Sequence, residues 1–408
     1  GAGAFPVCSH GHPPGRWARG WSWMASEPFR LFFFSGALWS VAGVSLWIFY
    51  YAGMLTFYPG LTHARIMMEN FGGGFVVGFL GTAGPRMLSG PRLSRLELVV
   101  LFSLHMAGGM CHWKLMPAAG DGCFAVMLGV LVMGFLGRAV GCWKKGAMRP
   151  QLALALAGLG SGMTGALLLG NAAWLEKTGM EGWRLAGLLL YQGFLLLPVM
   201  GMGSFLFPRI LGGGFGGEEK DRRAAAWGWL RAGLAAGMVL WSFRLEASGW
   251  ILSGYGLRIV GAGGYLAAGV PWRGGAGAAR VRRGTLAKAL YWSMALGLAG
   301  LVAGAVFHGH HVAAEHLLYM GGFGLVILVA ASRVLFGHSG DLPGFSGKSW
   351  QARTILTLTV LAATTRASAD LKPSIMISHH LYAALLWAGC VLLWMVWHGR
   401  RWMRRDDS

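Results

Sequence analysis

The sequence predicts an all-α protein, a polytopic transmembrane helical bundle of about twelve spans with N- and C-termini in the cytoplasm. Three observations carry this. Of the 408 residues, 55% are Ala, Val, Ile, Leu, Met, Phe, Trp, Tyr or Cys. Only 12% are Asp, Glu, Lys or Arg, about half the ~25% of a soluble domain. The apolar residues fall in repeated blocks of about 20, which lipid accommodates only as helices whose backbone groups bond within the segment. Glycine fills 68 positions, but it follows no collagen period and interrupts apolar stretches, which excludes both a fibrous chain and Gly-rich disorder.

The spans read, in order, as residues 30–52, 61–84, 96–113, 121–141, 152–171, 185–206, 224–242, 250–271, 286–307, 311–332, 354–370 and 377–397. The first follows directly on the stretch opened by Met24. The second, third and tenth carry Gly72-Gly73-Gly74, Gly108-Gly109 and Gly321-Gly322, which permit close helix contact or the approach of a flat cofactor, helix packing being the commoner use. The eleventh departs from the pattern, because Arg353 and Arg366 bound a short Thr-rich stretch. Arg366 can snorkel outward, and omitting this span would put the Arg400 to Arg405 tail outside. Residues 1–23 read as a disordered or spurious N-terminal extension, 24–398 as one transmembrane domain and 399–408 as a charged cytoplasmic tail. No cleavable signal peptide is visible, and the connections are too short to fold alone. Any chemistry therefore belongs to side chains on the helices or at their ends.

The formal charge of +20 could suggest a polyanion partner. With the N-terminus inside, however, 26 of the 35 Lys and Arg lie on the cytoplasmic side and 7 outside, with Arg231 and Arg258 within spans. That asymmetry is the positive-inside signature of a protein in a bilayer, and no nucleic acid partner is implied. The cysteines contain no C-x-x-C. Cys111 and Cys123 flank one outer loop and are read as lone cysteines rather than a pair.

Thirteen histidines in so apolar a chain are the most informative feature. His63 begins span two, His112 ends span three, His308, His310 and His311 join spans nine and ten, His316 lies one turn into span ten, and His379 and His380 open span twelve. All face one end of the bundle, the outer one, with His105 two turns deeper. Neutral imidazole is the commonest protein ligand for transition metals and haem iron. The candidate metal ligands are thus His63, His308, His310, His311, His316, His379 and His380, and the candidate cofactor-binding set is His63, Arg65, His112 and His316. His63, Met67 and Asn70 share a helix face, as do His316, Met320 and Phe323. Adjacent His379 and His380 point about 100° apart, so one of them is the better ligand. Arg65 and Glu69, one turn apart, either pair or free Arg65 for a haem propionate. Glu315, four residues from His311, is placed to orient that imidazole. Arg231 and Arg258 are read as facing the interior.

Several blocks resemble one family. Glu27-Pro28-Phe29-Arg30-Leu31-Phe32-Phe33 is similar to its opening into helix one. His63-Ala64, Phe71, Gly78-Phe79-Leu80 and Thr82-Ala83-Gly84-Pro85-Arg86 follow its second helix. His316, Gly321, Gly324, Arg333, Gly337-His338 and Gly340 resemble a late helix ending in T-R-x-x-L-G-H-x-G, and Gly201 to Pro208 adds to them. On these blocks the chain resembles the NnrS proteins, membrane proteins described as containing haem and copper and linked to bacterial defence against nitric oxide. The resemblance implies haem and copper as cofactors, nitric oxide or a related small molecule as ligand, the bacterial inner membrane as location, and His63 and His316 as ligands. It names no electron donor, and it does not say whether nitric oxide is turned over or only bound. Arg86, Arg333 and His338 carry over as motif residues without an assigned role.

Two departures stand out. The family's H-A-H-E-M is here His63-Ala64-Arg65-Ile66-Met67, and G-G-R-x-I-P is Gly203-Ser204-Phe205-Leu206-Phe207-Pro208. A chain without the second histidine carries fewer metals or recruits others among its imidazoles. Two alternatives remain. One is a twelve-span metal transporter with a histidine-lined outer entry, although transporters place such groups near the midplane. The other is a haem-copper oxidase-like subunit, against which stands the missing H-P-[ED]-V block.

Overall fold

A computed structural model describes residues 27–141, 148–212, 222–272 and 284–404. The sequence readings on residues 1–23, Cys142, Lys144, the run Glu218 to Asp221, most of the loop between Trp272 and Gly284, and the tail beyond Arg404 lie outside them. Among the described residues there is no strand, and a helix falls on each of the twelve apolar segments. Those helices are α1 (Phe29–Tyr51), α2 (Gly60–Arg65, Ile66–Gly72 and Gly73–Met87), α3 (Arg95–Trp113), α4 (Pro117–Gly141), α5 (Pro150–Leu169) and α6 (Ala172–Leu188, Leu189–Gly193 and Phe194–Ile210). They continue with α7 (Arg222–Ala247), α8 (Ile251–Arg258, Ile259–Gly263 and Gly264–Gly269), α9 (Thr285–Val306), α10 (His311–His316, Leu317–Gly324 and Leu325–His338), α11 (Trp350–Leu371) and α12 (Met376–Trp397). Eight of them, α1, α3 to α6, α9, α10 and α12, are long and apolar enough to cross a membrane.

Local chemistry sets the boundaries. Ser94 and Glu97 form a reciprocal capping box at the start of α3, satisfying two otherwise orphaned donors. Pro150 occupies the first turn of α5, where its missing N–H costs nothing. α6 begins well before the predicted residue 185, because Asn171 accepts the Trp174 N–H at 3.0 Å and caps a polar first stretch. That stretch bends at Gly179, whose φ of 60° lies in the left-handed region that glycine enters without steric cost.

Neighbouring helices in sequence are neighbours in space, and α12 also packs on α1, so the chain returns to its start. The glycines make this packing close. Gly297 on α9 meets Gly322 on α10, where a Cβ on Gly322 would lie 2.9 Å from the Gly297 Cα. At Gly300 a Cβ would lie 2.7 Å from the Ala314 carbonyl oxygen and from the Leu318 nitrogen. Gly321 is packed on Leu296, Gly324 on Trp387 and Gly74 on the α1 backbone at Phe32. Glycine doublets inside the helices therefore serve helix contact. Large apolar side chains such as Leu96, Val140, Leu167, Trp241 and Val260 are exposed on the outer surface, as a bilayer environment requires.

Both described ends of the chain meet at one end of the bundle. Arg30 donates to the carbonyls of Arg401 at 2.8 Å, Trp402 at 2.7 Å and Arg404 at 2.9 Å. Its Nε reaches Glu27 at 2.5 Å, and Glu27 also contacts His338 Nδ1 at 2.7 Å. Burial raises the Glu27 pKa, but the hydrogen bonds from His338 and Arg30 outweigh it and hold the carboxyl below its usual value.

A valine at Gly300 should force α9 away from α10. We expect Gly300→Val to lower stability by about 1–3 kcal/mol, the cost of overpacking a tight contact, read as a lower melting temperature in detergent. Gly389 on α12 is the control position. Nothing lies near the place its Cβ would occupy, so Gly389→Ala should unfold no earlier than the unmodified chain.

Candidate functional site

The end of the bundle opposite the described termini holds three groups of polar side chains. In the first, α1 brings Trp47 and Tyr51, α2 brings His63, α10 brings His316, α11 brings Arg366 and Asp370, and α12 brings His380. His63 Nδ1 lies 3.0 Å from the Gly43 carbonyl oxygen, and His316 Nδ1 lies 2.8 Å from that of Val312. A carbonyl only accepts, so in both rings Nδ1 carries the proton and Nε2 keeps the lone pair that binds metals. His380 Nδ1 is 2.8 Å from the Tyr51 hydroxyl. Its buried Nε2 has no hydrogen-bond partner, the nearest carboxylate being Asp370 at 3.9 Å. Asp370 is itself held by Arg366 at 2.8 Å. The Trp47 ring stands 5.9 Å from that of His63 and 5.0 Å from that of His380. His316, His63, Arg366 and Asp370 are close enough to interact electrostatically, as are His63 and His380.

A second group lies beside it. Arg65 and Glu69 of α2 meet His112 at the end of α3, Asp121 at the start of α4 and Tyr191 of α6. Arg65 Nε is 2.6 Å from Asp121 Oδ1 and 3.5 Å from Glu69 Oε1. Its Nη2 donates to Asp121 Oδ2 at 3.2 Å and its Nη1 to the Tyr191 hydroxyl. Glu69 Oε2 pairs with His112 Nε2 at 2.9 Å. Arg65, Glu69, His112 and Asp121 are each no more than 2% exposed. Gly120 makes room for the His112 ring, which a Cβ there would overlap. Glu69, His112 and Asp121 each offer a ligand atom within 4.8 Å of the others, the one such trio among the described residues. His63, His316 and His380 are more widely spaced than that.

The third group joins α6, α7, α8 and α10. Glu246 takes Arg184 at 2.5 Å through one oxygen and Arg258 at 2.6 Å through the other. Arg258 also donates to Gln192 at 2.7 Å and Ser242 at 3.1 Å. Arg184 bonds Glu315 at 2.7 Å. Glu315 is thus turned toward a guanidinium rather than toward His311. Arg258 faces the interior, whereas Arg231 is exposed.

The remaining histidines lie apart. His308, His310 and His311 are exposed on the turn between α9 and α10. His379 bonds the Ile375 carbonyl at 3.1 Å. His105, deeper on α3, meets Ser35 Oγ at 3.1 Å. Cys111 and Cys123 are free thiols. Sequence reasoning overlooks Tyr51, Asp121, Arg184, Tyr191, Gln192, Glu246 and Asp370. A signal exists for two of them, since Asp121 is the one acidic residue of α4 and Gln192 sits in the middle of an apolar run.

Among the described residues four helices carry π-helical turns, and each turn adjoins these groups. The turn in α2 starts right after Arg65, that in α8 right after Arg258 and that in α10 right after His316, while Tyr191 and Gln192 lie within that of α6. Such turns recur at functional positions because the extra residue rotates the side chains that follow. Toward the other end, α1, α2, α6 and α10 surround an apolar cavity lined by Phe33, Phe75, Val199, Leu206, Val326 and Ala330.

A protein-family model described as NnrS protein matches residues 24–405. No curated protein matches the chain.

The third group makes a stability prediction. Glu246→Ala removes the carboxylate that Arg258 faces from a fully buried position, and breaking such a pair costs about 3–5 kcal/mol. Glu181 pairs with Arg244 at the surface, where water screens the charges, so Glu181→Ala should lower the melting temperature far less. Thermal unfolding of the two variants in the same detergent compares them directly.

Proposed function

The chain belongs to the NnrS family, and from that premise we propose a haem- and copper-binding inner-membrane protein that binds or turns over nitric oxide in nitrosative-stress defence or denitrification. In this reading all twelve helices cross the bilayer, with both termini cytoplasmic, in keeping with the 26 basic residues on that side. The observation that carries the cofactor assignment is the state of His63 and His316. Two imidazoles from different helices each have Nδ1–H tied to a backbone carbonyl and so present Nε2 as a ligand. That is how proteins fix the tautomer and direction of a metal-bound histidine.

His63 and His316 would hold haem, and His380, whose buried Nε2 makes no hydrogen bond, would contribute to copper. Haem, when bound, would supply an iron that can take a small diatomic ligand. The chain's own residues do the rest. Gly43 and Val312 carbonyls hold the two rings in orientation. Trp47 packs edge-on against His63 and His380. Tyr51 and His380, 2.8 Å apart, can pass a proton between phenol oxygen and Nδ1. Arg366, held by Asp370, is the cation on the histidine side, because Arg65 is committed to Asp121, Glu69 and Tyr191. The cavity toward the other end, walled by apolar side chains, would suit a small uncharged ligand.

The test is spectroscopic. Protein purified from haem-replete cells should show a Soret band that nitric oxide shifts. His63→Ala and His316→Ala should each remove or displace that band, while His308→Ala, His310→Ala and His311→Ala should leave it unchanged. A colourless, iron-free wild-type preparation would refute the assignment.

A further inference from the structure

We propose that Arg65 is the built-in cation of a three-ligand site for a divalent transition metal, formed by Glu69, His112 and Asp121, and that its guanidinium keeps metal ions out. This inference does not rest on the haem assignment. Two carboxylate oxygens and an imidazole nitrogen, all within 4.8 Å of one another, make a donor set suited to first-row divalent ions. All three residues are buried, and Glu69 Oε1, Asp121 Oδ1 and His112 Nδ1 have no hydrogen-bond partner. The three come from α2, α3 and α4, so the helices hold the trio together whatever fills it.

What fills it is the guanidinium. Arg65 Nε approaches Asp121 Oδ1 at 2.6 Å and Glu69 Oε1 at 3.5 Å, the two oxygens that lack a hydrogen bond. The Tyr191 hydroxyl accepts from Nη1 and fixes the group from the other side. Arginine does not lose its proton in proteins, so its charge cannot leave to admit an ion. Charge balance then sets the direction of the exclusion. With Arg65 in place the site carries one positive and two negative charges, and a divalent ion would make it positive while leaving the guanidinium stranded. Without Arg65 the two carboxylates are uncompensated in an apolar interior, a costly state that one divalent ion neutralises.

The experiment is a titration of Co2+ into the full-length protein in detergent, after treatment with a chelator, read by visible absorption and by metal analysis. Arg65→Met should bind one equivalent more than wild type, with a d–d band, and should gain thermal stability on Co2+ addition. Arg65→Lys, which keeps the cation, should show no gain. Adding Glu69→Gln to Arg65→Met should abolish it, which separates this site from any binding at the outer histidines. The proposal is overturned if wild type already binds an equivalent that Glu69→Gln removes, or if folded Arg65→Met gains none. Should Arg65→Met be recovered only in the presence of Co2+, that dependence supports the proposal. Arg65→His, which adds a further ligand, is the second variant. Failure of both to fold even with Co2+ overturns the proposal, since the ion would then be unable to replace the guanidinium.

Discussion

A carboxylate buried among apolar helices must find a positive partner inside the bundle, because lipid offers neither water nor counter-ion. That constraint organises one half of this protein. Arg65 joins α2 to α4 and α6, Glu246 joins α7 to α6 and α8, Arg184 extends the same network to Glu315 on α10, and Arg366 with Asp370 stands beside His380 of α12. The first three partnerships link helices that sequence order alone would leave free to rotate. Their charge balance differs. Arg184 and Arg258 match Glu246 and Glu315 one for one, whereas Arg65 faces both Glu69 and Asp121. The second arrangement is the one of the two with a shortage of positive charge, and it is also the one that holds a compact set of ligand atoms.

The π-helical turns explain how the same helices serve two surroundings. A regular helix that aims Arg65, Arg258 or His316 inward would carry that register unchanged along its length. An extra residue per turn resets it. Below each turn, α2, α6 and α10 present Phe75, Val199 and Val326 to an apolar cavity. Glycines in and beside these turns let the neighbouring helices close on them, as Gly322 does on Gly297. Packing and polarity are thus set by one local device, used four times among the described residues.

Much of this is legible in the sequence. Apolar blocks of about 20 residues predict the helices, since lipid enforces helix formation over that length. Histidine positions, turned into depth by the span order, pick out His63, His316 and His380 at one end. What composition does not supply is pairing between distant spans. Spacing along the chain sets Glu315 against His311, its neighbour on the same helix, yet its partner Arg184 lies on α6. Asp121 reads as the edge of a span, yet it anchors Arg65. The change from the histidine of the NnrS-like pattern to Arg65 is visible, but its consequence depends on Glu69, His112 and Asp121 meeting in space, which no local period encodes.

This distribution of polar groups argues for a fixed site over an alternating one. A transporter that exposes its substrate to both sides in turn keeps its polar groups near the midplane, on helices that separate as it works. Here α2 and α10 run continuously through their π turns, and glycine contacts hold α9 against α10. Rocking α6 away from α7 and α8 would break Arg184 and Gln192 from Glu246 and Arg258, and separating buried charges costs several kcal/mol. The other end is tied as well, by Arg30 to the carbonyls of Arg401, Trp402 and Arg404. A scaffold clamped at both ends, with apolar packing between, keeps its imidazoles in place, as the proposed function requires.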